Sequence, residues 1–151
     1  MKTLLPALVA LTALAATGCA SIPVADEAHS NAAKQFSTPT DGTSLVYVYT
    51  DRATDLVSTS NIYIDGKCIG YLNYSAFTYV ETTPGEHVFG MESYQGANEL
   101  TVTTEANHIT ILKAHSAAGF SYYLTLVGDD DMEYAKERIK STPLVDADVC
   151  K

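Results

Sequence analysis

Residues 61–72 read NIYIDGKCIGYL: an apolar run, the pair Asp65-Gly66, and a second apolar run. Asp-Gly between two such segments is the strongest short-range hairpin signal. A type I′ turn needs positive φ at both central residues, and Asp and Gly tolerate it. A two-residue turn here pairs Ile62 with Ile69 and Tyr63 with Cys68. The isoleucines then share one face, and Cys68 looks out from the other.

The period of two continues on both sides of this hairpin. Residues 45–49 (LVYVY) form a run before it, and residues 77–82 form one after it. Pro84-Gly85 then predicts a type II turn, because Pro presets φ and Gly accepts the positive φ that follows. Beyond it, His87, Phe89 and Met91 alternate with Glu86, Val88 and Glu92. Residues 100–105, 108–113 and 120–127 complete the pattern. The fold expected is mainly β, an antiparallel β-sandwich of about seven to eight strands with one short C-terminal helix. In that helix Asp130 is the expected N-cap with Glu133 at N3. Met132, Ala135 and Ile139 share a face, acids lead at 129–131, bases follow at Lys136, Arg138 and Lys140, and Pro143 stops it. No repeat of roughly 20–50 residues runs through the chain, which excludes a solenoid or propeller.

The chain has 151 residues, 46% hydrophobic and 18% charged, the balance of one globular domain. Nine Lys and Arg stand against 18 Asp and Glu, a net charge of −9. A chain this acidic repels phosphate backbones, so no nucleic-acid partner is expected.

The N-terminus reads as an address. Lys2 precedes the uncharged residues 4–16, LLPALVALTALAA. As a helix that stretch reaches about 20 Å, short of the ~30 Å hydrocarbon core, so it suits a signal-peptide h-region and not a membrane span. Ala16-Thr17-Gly18-Cys19 follows and resembles the lipobox of bacterial lipoproteins, with Ala16 in place of the usual Leu. The resemblance implies that the Cys19 thiol takes a diacylglyceryl group, that cleavage precedes it, and that the new amino group is acylated. Three acyl chains exceed what stable anchoring needs. Ala20, where an Asp would favour retention at the inner membrane, implies export to the outer membrane by the same resemblance. The alternative is ordinary secretion with Cys19 discarded. Residues 20–41 carry Pro23 and Pro39 and no sustained period, and are expected to form a flexible tether of roughly 25 Å; the alternative is that part of the segment packs on the domain as an extra strand or short helix. The organisation expected is a signal peptide at 1–18, a lipidated Cys and tether at 19–41, the β-sandwich at 42–145 and a tail at 146–151.

Taken in order, LVYVY, IYIDGKCIGYL, PGEH, AGFSYYL and a short helix are similar to a family of small bacterial lipoproteins classed as a domain of unknown function. The pattern at residues 62–70 also resembles PEGA-type β-domains. The motif positions are Asp65, Gly66, Lys67, Gly70, Pro84, Gly85 and His87. The resemblance covers residues 43–140, implies an all-β sandwich and carries no catalytic residue.

The chemical candidates are thin. Of His29, His87, His108 and His115, only His87 lies in a motif, where a ring hydrogen-bonded near the turn is expected. His108 and His115 are too far apart along the strand for a close metal pair, and no zinc spacing exists, so no metal is expected. The contiguous acids at 129–131 lack the alternation of a Ca²⁺ loop and suit a helix start. Ser93 sits in no Gly-x-Ser-x-Gly elbow, and no Gly-rich loop opens a helix. Tyr47 and Tyr49 share a face that either stacks on a partner or packs within the sheet. Neither catalysis nor a cofactor is expected.

Cys68 and Cys150 remain after lipidation. In an oxidising periplasm an even pair reads as a disulfide, and a tail beyond Pro143 has the reach to cross a small sheet. The alternative is two free thiols. The functional expectation is a lipid-anchored, non-catalytic envelope lipoprotein, held at the outer membrane with its body in the periplasm, acting through protein or envelope contacts. The second reading is an acidic binder or inhibitor of a basic envelope partner.

Overall fold

The computed structural model describes residues 24–51, 59–93, 98–117, 121–147 and 149–150. Eight strands are seen among them: β1 (Ser44–Tyr49), β2 (Ser60–Ile64), β3 (Lys67–Leu72), β4 (Phe77–Thr82), β5 (Gly85–Met91), β6 (Asn98–Thr104), β7 (His108–Ala117) and β8 (Ser121–Leu126). They form two four-stranded sheets, ordered β4-β1-β7-β8 and β3-β2-β5-β6. The fold is mainly β and sandwich-like, with a short helix near the C-terminus, as the alternation predicts.

The core between the sheets follows from the period of two. Val46 and Val48 of β1, Ile62 of β2, Phe89 and Met91 of β5 and Leu112 of β7 point inward and are buried. A second apolar cluster lies on the opposite face of the first sheet, where Tyr47, Tyr49, Phe77 and Ile111 pack beneath Ile139 and Leu144. β1 is therefore covered on both sides, which is why its sequence reads as an unbroken apolar run. Tyr47 and Tyr49 pack here and do not form a stacking surface. The Tyr47 hydroxyl donates to the Ala33 carbonyl at 2.8 Å, and burial pushes its pKa up to about 12.

One strand pair departs from the antiparallel expectation. β1 and β7 run parallel, from Ser44 opposite His108 to Tyr49 opposite Lys113. A parallel pair needs a long crossover, and here the whole second sheet lies in the intervening chain.

The tether expected over 20–41 is folded from Val24 onward. Helix α1 (Glu27–Ala33) is capped by Asp26, whose side chain accepts from the His29 N–H at 2.8 Å. Ala33 is buried, and the Phe36 and Tyr47 rings lie 5.1 Å apart. Residues EAHSNAA have too short an apolar stripe to announce a helix, and one this short is not stable alone. Contact with the sheet holds it. Strand-like bonds fasten the segments before α1 and after the C-terminal helix: Ala25 N–H donates to Leu144 O at 3.0 Å, and Val145 N–H donates to Phe77 O at 2.8 Å.

Three local expectations also change. Asp65 and Gly66 have φ of 50° and 77°, as the turn requires, but Ile62 pairs with Gly70 and not with Ile69. Ile69 is an extra residue in β3, a bulge that bends the strand, and Gly70 at φ 135° accommodates it. Pro84-Gly85 makes no type II turn. Gly85 has φ 140°, well beyond the ~80° of that turn, because the chain crosses here from one sheet to the other. At the C-terminal helix, residues Asp129–Asp131 form a 3₁₀ turn, and α2 (Met132–Lys140) starts after Asp131 with no side-chain cap bond, so Asp130 is not the cap. Ala135 and Ile139 are fully buried beneath it.

The tail ends covalently. Cys68 of β3 is joined to Cys150, with 6.5 Å between their Cα atoms and a sequence separation of 82. On a chain-entropy account a loop of that size stabilises the fold by about 4 kcal/mol. Cys150→Ser is expected to lower the free energy of urea unfolding under oxidising conditions by about that amount, and the wild-type protein with reductant is expected to match the variant. An unchanged midpoint in both would refute the assignment of stability to this bond.

Candidate functional site

The motif residues are distant in sequence, and the fold gathers three of them at one corner. The Asp65-Gly66 turn projects Asp65 from the β2–β3 hairpin toward the start of β5. Its backbone N–H donates to Val88 O at 2.8 Å, and its Oδ1 accepts from Val88 N–H at 2.9 Å. Its Oδ2 lies 2.7 Å from His87 Nδ1. On the other side of the ring, His87 Nε2 lies 2.8 Å from the Thr83 carbonyl and 3.2 Å from Thr82 Oγ1. Thr104 of β6 donates to the carbonyls of Thr83 at 3.0 Å and Gly85 at 3.2 Å. The His87 ring thus clasps the hairpin turn, the β4–β5 crossing and the head of β5 together. It is 8% exposed.

The electrostatics of the clasp favour charge. Carboxylate and carbonyl are both acceptors, so only the doubly protonated ring donates to each. The hydrogen bond to Asp65, and then the one to Thr83, raise the His87 pKa above its ordinary 6.5, against the opposing effect of burial. The bond from His87, and then that from Val88 N–H, lower the Asp65 carboxyl below 3.8. Thr82 Oγ1, His87 and Asp65 stand in the order of a nucleophile, base and orienting acid. However, a general base needs a free lone pair on Nε2, and the Thr83 carbonyl occupies that position. Placed this way, the ring fastens the corner through both of its nitrogens.

The other motif positions serve the chain path. Lys67 is exposed, and Pro84 and Gly85 make the sheet crossing. Gly70 sits where a Cβ would come within 3.2 Å of Thr78 Oγ1, so β3 approaches β4 there closely. Among the remaining histidines, His29 Nε2 lies 2.8 Å from the Tyr79 hydroxyl, His115 stacks on Tyr123 at 4.9 Å, and His108 is exposed. Cys19 lies outside the described residues. Among the described residues no group of three or more His, Cys, Asp or Glu side chains is placed to hold a metal ion, and no helix is long and apolar enough to cross a membrane.

A second polar centre escapes sequence reasoning. Asp51, just beyond β1, is 3% exposed and meets Arg138 Nε at 2.6 Å, the Tyr134 hydroxyl at 2.9 Å and Lys113 Nζ at 3.3 Å. Arg138 also donates to the Asp51 carbonyl at 2.8 Å. Burial works to raise the Asp51 pKa, but the bonds from Tyr134, Lys113 and Arg138 outweigh it and leave it lowered. The centre ties α2 to β1 and β7. Its four residues come from three separate segments, and although Tyr134 and Arg138 are four apart on α2, nothing in the local pattern links them to Asp51 or Lys113.

Comparison with known proteins places this geometry. The family model described as "Protein of unknown function (DUF2846)" matches residues 40–126, a stretch that holds every motif residue of the clasp. A Haemophilus influenzae protein described as uncharacterized is 31% identical over 125 residues, covering 83% of this chain and 71% of its own length. The N-terminal domain of AlgF from P. aeruginosa is similar at TM-score 0.41 and 12% identity, covering 60% of this chain and 99% of that one. None of these matches indicates an enzyme family, and none supports the PEGA-type resemblance of residues 62–70.

Two outcomes test the site. The His87 ring, followed by NMR through a pH titration, is expected to titrate above 6.5 and to fall back in Asp65→Asn. The stability given by a raised histidine is full below its unfolded pKa and fades as pH rises through the folded one. That given by the lowered Asp65 is full above 3.8 and fades as pH falls. The clasp is therefore strongest in mildly acidic solution. Asp51→Ala leaves Arg138 and Lys113 without their carboxylate, and is expected to cost about 2 kcal/mol in urea unfolding; a change within error of zero would show α2 to be held by apolar contact alone.

Proposed function

The chain belongs to the family described as "Protein of unknown function (DUF2846)", and on that footing we propose a lipid-anchored, non-catalytic lipoprotein of the bacterial envelope that acts through contacts with other envelope molecules. The observation that carries this reading is the Cys68–Cys150 disulfide. Such bonds persist in oxidising compartments such as the periplasm and are rare in the cytosol. It agrees with a leader that ends in a small-small-Cys sequence at Thr17-Gly18-Cys19. His87, whose ring meets the Asp65 carboxylate, has its Nε2 taken by a carbonyl, which supports a role without catalysis. The net charge of −9 favours, as a second reading, a basic partner drawn in electrostatically.

The folded start at Val24 changes the anchoring geometry. Only residues 20–23 separate Cys19 from Val24, a reach of at most about 18 Å when extended. The body then rides close to the headgroups and not at the end of a long tether. Palmitate labelling of the wild-type protein, absent in Cys19→Ala together with release of the protein into the soluble periplasmic fraction, is the expected result. Equal labelling of the variant would overturn the anchor, and a wild-type protein found in the cytosol would overturn the envelope assignment.

A further inference from the structure

The two outer faces of the sandwich are unequal. Both helices and the segments around Ala25 and Leu144 cover the first sheet, and the tail reaches the second at Cys68 of its edge strand β3, whereas β6 turns Glu99, Thr101 and Thr103 to solvent and β5 turns Glu86. Midway across this open face the side chains form a notch. Tyr63 of β2 pairs with Gly90 of β5, which pairs with Glu99 of β6, so the three lie in one lateral row. Gly90 contributes no side chain, and a depression of about 340 Å³ opens above it, walled by Tyr63, Val88, Glu92 and Glu99.

The walls are held in place from below. Asn61 is 4% exposed, and its amide donates to Glu92 Oε2 at 2.9 Å and to the Tyr63 hydroxyl at 3.3 Å. The Glu92 backbone is bonded to the end of β2, through Ser60 Oγ at 2.8 Å and the Asn61 carbonyl at 3.2 Å. Among the described residues no Lys, Arg or His forms an ion pair with Glu86, Glu92 or Glu99.

We propose that this open face docks a basic segment of a partner protein, and that the Gly90 notch receives one of its arginine or lysine side chains. The inference rests on the reading of the domain as a contact module and gives its basic-partner form a place. The aliphatic stem lies along Val88, the cation meets the Tyr63 ring, and the Glu92 and Glu99 carboxylates supply the counter-charge. An acidic segment is repelled by Glu92 and Glu99, and a neutral apolar one leaves both carboxylates without a counter-charge. Because Asn61 fixes two of the walls before binding, less side-chain freedom is lost on docking.

Gly90 provides a test that leaves charge untouched. Its φ lies outside the left-handed region, and an added Cβ meets Asn98 O and Glu99 Cγ at an ordinary 3.7 Å, so a side chain can be added here, and the two Cγ atoms of Gly90→Val are placed to fill the notch. The probe is the capped peptide acetyl-(Ala-Arg)₄-amide, with its Ala-Glu counterpart as control, titrated into ¹⁵N-labelled protein purified from the envelope with its disulfide intact. The expected result is amide shifts at Tyr63, Val88, Gly90 and Glu99 with the arginine peptide alone, weakening as salt is raised. Affinity is expected to fall about tenfold in Gly90→Val and in Glu92→Gln/Glu99→Gln. A thermal melt confirms that each variant folds, and if Gly90→Val does not, the double glutamine variant decides. Arginine-peptide binding that survives Gly90→Val unchanged, with shifts at Asp129–Asp131 instead, overturns the notch and leaves the basic-partner reading standing. No binding to the wild-type protein at low salt overturns both.

Discussion

Burial of β1 on both faces is the constraint on which the rest of the structure depends. A strand whose valines fill the inter-sheet core and whose tyrosines Tyr47 and Tyr49 point the other way needs two separate coverings. The second sheet provides one. The other is assembled from pieces that are weak by themselves: a seven-residue helix, a nine-residue helix and the strand-like segment around Leu144. None of these has enough apolar area to order itself, and each is fixed by polar pins at its margin. Ala33 accepts from Tyr47, Arg138 reaches Asp51, and Val145 bonds to Phe77. The hydrophobic effect supplies the drive, and these directional bonds select one arrangement of the cover.

This division explains what was legible in the sequence. Strand positions follow from alternation, and β2, β3 and β4 fall within a residue or two of the runs read from it. The Asp65-Gly66 turn was legible because it rests on two residues whose backbone demands are local. The parallel pairing of β1 with β7 was not, since no local pattern distinguishes a neighbour in parallel from one in antiparallel. The bulge at Ile69 was hidden for a related reason: an inserted residue keeps the isoleucines inward and changes only their partners. Helix α1 was missed because its stabilisation is tertiary. The Pro84-Gly85 motif signals a change of direction and gives no sign of whether the chain returns to its own sheet or crosses to the other.

Of the candidate sites, the motif residues were visible but their meeting was not. Asp65 and His87 are 22 residues apart, and only the register of β2 against β5 brings the carboxylate onto the ring. The Asp51 centre was invisible because a buried charge in a loop looks like any other acid. The Gly90 notch shows the converse case. A glycine at an outward strand position weakens a strand, and its structural meaning emerges only when its lateral neighbours are known to be Tyr63 and Glu99.

The parallel β1–β7 pair also sets an order in time. Ser44 and His108 are 64 residues apart, and the cover of β1 needs α2 and Leu144, later still. The disulfide joins Cys68 to a cysteine 82 residues further on. Little of this body can therefore become compact before those segments are made, since β1 has neither parallel neighbour nor outer covering without β7, α2 and Leu144. Contacts so remote in sequence fold slowly. The body thus forms late, when its remote segments are all available to one another.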